Sequence, residues 1–144
     1  MKESRKPLTA ILVEATAWLL AALFTYTAVS KVYDWKATKT ALFNQVIPDW
    51  SKEILLYGLP GIEILVSILL LLPRFRKMGF MLSLLLMSLF TGYVGWIWLG
   101  WAPKVPCSCG GVLESMDWGT HLVFNLVFLG ISILGYWFMG KAEG

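Results

Sequence analysis

The residues best equipped for chemistry are Cys107 and Cys109, the chain's two cysteines, set one residue apart in Pro106-Cys-Ser-Cys-Gly-Gly111. Two thiols at this spacing can act in three ways. As a staple, the chain-entropy relation gives a three-residue ring only about 1.6 kcal/mol, against ~4.7 kcal/mol for a 100-residue loop. An extended i, i+2 pair also holds its Cα atoms near the upper end of the ~4.4–6.8 Å disulfide range, so the ring is strained. Strained, accessible disulfides are the oxidising and labile ones, which suits exchange with a partner thiol better than stapling. As metal ligands, two thiolates would suit Cu(I), with Met116 and His121 nearby in sequence. The spacing matches no closed zinc pattern, however, and no metal site is expected.

The remaining polar candidates lie in apolar surroundings. Glu14, Glu63 and Asn125 fall within long hydrophobic stretches, where ionisable groups are costly and face a bundle interior or a wet cavity. Lys31 can snorkel toward Glu63, which makes an ion pair bracing two helices the plainest reading. A proton-relay or quinone-site role for Glu63 is the functional alternative. Glu14 has no evident basic partner at its depth and is expected to be neutral. His121 and Asn125 lie one turn apart on one helix face, with Asn125 expected to hydrogen-bond across to a neighbour. A single histidine in the chain rules out a nucleophile–base–orienter set, so hydrolysis is not expected. The serines and threonine of the apolar blocks (Ser30, Ser67, Ser83, Ser88, Thr91) read as packing or hydrogen-bonding residues. Met78, Met81, Met87 and Met139 read as core filling.

These residues are carried by a chain of 144 residues, 58% hydrophobic and 15% charged, with a mean hydropathy of +0.69. Soluble domains are about a quarter charged. The apolar residues come in four blocks, 8–30, 54–72, 79–99 and 119–139, each close to the ~20 residues that cross a ~30 Å hydrocarbon core. The expected fold is all-α: a polytopic membrane protein in which four transmembrane helices form an antiparallel bundle, one membrane domain over 1–144. Gly58, Pro60 and Gly61 predict a kink or a late start in the second helix. The first block is too long for a signal-peptide core and lacks a convincing cleavage site, so it reads as a retained helix.

Charge predicts orientation. Lys2, Arg5, Lys6, Arg74, Arg76, Lys77 and Lys141 would all lie inside, in tails and one tight turn. Lys31, Lys36, Lys39, Lys52 and Lys104 are spread among acidic residues in two outer loops, 31–53 and 100–118. Trp35, Trp50, Trp101 and Trp118 flank those loops, as interfacial aromatics do. Both termini are thus expected in the cytoplasm of a bacterium, with the cysteines on the periplasmic side of its inner membrane. No Lys/Arg stripe supports nucleic-acid binding.

Three elements, Tyr26-Thr-Ala-Val-Ser-Lys31, Leu59-Pro-Gly-Ile-Glu63 and Cys107-Ser-Cys-Gly-Gly111, resemble in order and spacing the DoxX-like membrane proteins. The resemblance runs from about residue 10 to 138 and is nearest to the methylamine-utilisation MauE branch, with Gly110 where that branch carries Phe. It implies periplasmic thiol–disulfide chemistry, or an accessory role beside other redox proteins. The expectation is a membrane-embedded redox protein whose Cys107 and Cys109 exchange electrons with a periplasmic thioredoxin-like or substrate protein. With no second cysteine pair, either a quinone or a partner protein would oxidise the first. The alternative is a non-catalytic subunit of a larger complex.

Overall fold

The computed structural model describes residues 2–101 and 118–143, with side chains described from 7 to 101 and from 118 to 141. Five α-helices and one 3-10 turn make up the described fold: α1 (Lys2–Tyr33), α2 (Trp35–Phe43), α3 (Asp49–Leu71), the turn Pro73–Phe75, α4 (Arg76–Trp98) and α5 (Trp118–Glu143). All except α2 are long and apolar enough to cross a membrane. Among the described residues no strand occurs.

The four long helices form a bundle in which α1 and α4 stand diagonally, each packed along α3 and α5. The face that α1 turns inward follows helical spacing: Val13, Ala17, Leu20, Ala21, Phe24 and Ala28 are all buried. Alanines on this stripe let backbones approach, and Ser67 Oγ of α3 reaches the Ala21 carbonyl at 3.2 Å. Phe80 of α4 fills the centre of the bundle, entirely buried against this stripe and Leu70. Gly135 of α5 accepts the Phe80 ring where any Cβ would overlap it.

Outside, the pattern is the reverse of a soluble protein. Ile11, Leu19, Leu65, Leu85, Val127 and Ile133 lie exposed on the long helices. Apolar surface on every side leaves lipid as the solvent that this exterior fits. The protein is therefore a multi-pass membrane protein.

Three expectations are corrected. The segment 31–53 is not an open loop: Lys31–Tyr33 continue α1, α2 fills most of the middle, and α3 begins at Asp49. Asp34 caps α2 by accepting from the Ala37 amide at 3.2 Å. Trp35, Thr38 and Leu42 then turn inward at helical spacing while Lys36 and Lys39 turn outward, the pattern of a helix lying along an interface. Of the kink or late start foreseen at Gly58, Pro60 and Gly61, the late start does not occur, because α3 runs through these residues from Asp49.

Arg76 and Glu14 are the third correction. Arg76 is not a free charge of the turn. It is buried at the start of α4, its Nε donating to the Leu70 carbonyl and its guanidinium to Glu14 Oε1, both at 2.8 Å. Trp18 Nε1 donates to the other Glu14 oxygen at 3.2 Å. Glu14 thus has the basic partner that sequence order concealed, supplied by a residue 62 positions away, and the neutral form expected for it is not required.

Candidate functional site

The short α3–α4 turn marks one end of the bundle. At the other end α1 hands over to α2, α4 ends at Trp98 and α5 begins at Trp118. Cys107 and Cys109 lie outside the described residues, as does Met116, in the segment that connects those two helix ends. The described residues beneath this end line a partly open cavity of about 260 Å³.

Every element except the turn contributes a wall. From α1 come Phe24, Thr27 and Lys31, from α3 Leu55, Leu59 and Glu63, and from α4 Met87, Phe90 and Tyr93. Leu42, Gln45 and Ile47 close it from the α2 side, and α5 presents Trp118, His121, Phe124 and Asn125. The lining is predominantly apolar and aromatic, with a few convergent polar groups, the usual make-up of a small-molecule site.

Lys31, Glu63, His121 and Asn125 therefore share one chamber. Lys31 Nζ stands 2.9 Å from Glu63 Oε1 and 3.2 Å from Oε2, joining the end of α1 to the middle of α3. Glu63 is 2% exposed, so its charge depends on this partner. On α5, the 3.6-residue period sets Trp118, His121 and Asn125 along one face. The His121 ring stacks on Trp118, centroids 5.9 Å apart and planes within 20°. Its Nδ1 is buried with no hydrogen-bond partner among the described residues. The Ser83 and Ser132 hydroxyls share a hydrogen bond of 2.9 Å between α4 and α5, while the buried Asn125 lines the cavity.

Two cavity residues were not foreseen. Tyr93 Oη donates to Gln45 Oε1 at 2.8 Å and accepts from the Val46 amide at 3.2 Å. Gln45 Nε2 in turn donates to the Ala41 carbonyl at 3.2 Å. This latch draws the segment after α2 over the cavity and onto α4. A phenol placed inside an apolar span was the available signal, since a buried Tyr hydroxyl nearly always finds a partner. Nothing in the sequence near Gln45 identified that partner.

No three His, Cys, Asp or Glu among the described residues cluster as metal ligands would. The sequence model of the family described as methylamine utilisation protein MauE matches residues 9–138. No match was found among curated proteins or among solved structures.

Proposed function

The chain belongs to the methylamine utilisation protein MauE family of membrane proteins, and on that premise we propose that it is a thiol–disulfide redox protein acting through Cys107 and Cys109. The observation that supports the reading best is the position of the chamber. Lys31, Glu63, His121 and Asn125 line it beneath the end of the bundle where α4 and α5 emit and receive the cysteine segment. In sequence Cys109 precedes Trp118, a wall residue of the chamber, by nine positions.

In the exchange, a thiolate of a thioredoxin-like or substrate protein attacks one sulfur of the Cys107–Cys109 disulfide. That S–S bond breaks, a mixed disulfide forms, and the second partner thiol resolves it. Two electrons and two protons leave the partner and arrive on Cys107 and Cys109. The small ring strains the disulfide toward accepting them. By the charge bias this end faces the periplasm of a bacterial inner membrane, where disulfides persist.

The test is labelling of intact cells with a membrane-impermeant maleimide. Labelling only after mild reduction is expected, from an exposed and reducible disulfide. Labelling restricted to lysed cells would invert the topology and sink the proposal. Cys107→Ser and Cys109→Ser should each abolish exchange with a thioredoxin-like protein, and full activity in both would refute it.

A second reading is supported by Tyr33, Trp50 and Trp101, all largely exposed at this end. Such an aromatic face suits docking on a larger complex. An accessory subunit of that kind would keep its function in the double Cys→Ser variant and copurify with its partner.

A further inference from the structure

The proposed exchange leaves a reduced dithiol that must be reoxidised, and the cavity has the chemistry of a site for the oxidant. We propose that it binds the head group of a membrane quinone. The proposal rests on the redox reading for its purpose, but its structural basis lies wholly in described residues.

The volume, about 260 Å³, is just below the ~300–1,000 Å³ usual for small-molecule sites, so a single substituted ring is the scale of ligand that fits. The walls decide among candidates of that size. Lys31 and Glu63 already neutralise each other, so an ion would find no unmatched charge. A sugar or nucleotide carries more polar groups than the mainly apolar walls can satisfy. A bare acyl chain would fill the space yet make no use of the polar side chains of Tyr93, His121 and Asn125 in its walls. A quinone head group combines a flat apolar ring with two carbonyl acceptors. Phe24, Phe90 and Phe124 offer it aromatic faces, and the Asn125 amide and the His121 ring offer it hydrogen bonds. The molecule also arrives dissolved in the bilayer that surrounds the apolar exterior.

The balance is complete with these two reactants. The thiols of Cys107 and Cys109 give up two electrons and two protons and form their S–S bond, while the two quinone carbonyls take up both and become the hydroxyls of a hydroquinone.

The experiment uses the full chain in lipid nanodiscs with decylubiquinone as the probe and tryptophan fluorescence as the readout, since Trp118 lines the cavity. Saturable quenching is expected in the native protein and equally in the Cys107→Ser/Cys109→Ser variant. His121→Ala and Asn125→Leu should each raise Kd tenfold or more, whereas Val127→Ala on the lipid-facing side should not change it. Excess decanol should fail to compete. Non-saturable quenching, equal competition by decanol, or an unchanged Kd in both cavity variants would overturn the proposal. A photoreactive azidoquinone on the native protein tests it without substitution: attachment within the cavity walls, 23–31, 42–47, 55–63, 87–94 or 118–125, supports it, and attachment only elsewhere refutes it. The two readings fail separately. Quinone that binds but is not reduced by the dithiol leaves the cavity assignment standing and refutes the exchange. Exchange without saturable quinone binding refutes the cavity assignment alone.

Discussion

At the level of single residues, the energetics centre on charges held away from water. Lys31 and Glu63 are bonded through both carboxylate oxygens, and Glu63 is buried. Removing one partner of such a pair costs roughly 3–5 kcal/mol, because the other charge is left unsolvated, whereas replacing both by apolar groups is often neutral. Lys31→Ala should therefore lower stability by about that much, and Lys31→Met with Glu63→Leu should recover most of the loss. Unfolding in a denaturing detergent titration measures both. Simple additivity of the two single substitutions would show that the pair is not coupled. Glu14 and Arg76 differ, since Glu14 is half exposed on the bundle surface while Arg76 is buried. There the guanidinium is the vulnerable group, and it also holds the Leu70 carbonyl at the end of α3.

Between elements, stability comes from close approach and from the latch. Gly135 allows α5 to lie on the Phe80 ring, and Gly79 allows α4 to lie on the backbone of α3 at Leu70. Without a hydrophobic drive between helices in lipid, such small residues supply the packing that joins them. Gly135→Ala should destabilise the bundle by ~1–3 kcal/mol through overpacking. Gly140→Ala, which meets open space, should not. The same detergent titration separates them, and equal midpoints would refute the packing argument. Tyr93 holds the segment after α2 through two hydrogen bonds of its hydroxyl. Tyr93→Phe should keep the ring but release the latch, raising hydrogen exchange over residues 35–46 while α3 and α5 stay protected. Unchanged exchange there would mean that other contacts suffice to hold α2, such as Trp35 on Tyr57 at 5.2 Å between ring centres and Lys52 Nζ donating to the Phe43 carbonyl at 3.0 Å.

For the whole molecule the question is orientation. Lys141 lies over the Trp137 ring at 3.7 Å, and Arg74 sits at the α3–α4 turn, both at the end opposite the cavity. In a Cys107→Ser/Cys109→Ser background, Lys36→Cys should react with an impermeant maleimide in intact cells and Arg74→Cys should not. The opposite result would place the cavity on the cytoplasmic side and remove it from periplasmic partners.

What the sequence determined by itself was whatever depends on short-range pattern. Block length and hydropathy specified a four-helix membrane bundle, because crossing hydrocarbon requires only that each segment satisfy its own backbone. The Lys31–Glu63 pairing was also legible, as a lysine at the outer end of one span long enough to snorkel toward a carboxylate inside the next. The helix α2 was not, since nine residues with two lysines resemble a polar loop until their inward face has something to cover. Tertiary structure alone paired Arg76 with Glu14 and Gln45 with Tyr93, and gathered Lys31, Glu63, His121 and Asn125 around one cavity. Those contacts join residues dozens of positions apart on different elements of the fold. Which of them meet is decided by how each helix is rotated in the bundle, and that rotation is set by packing such as Phe80 against Gly135.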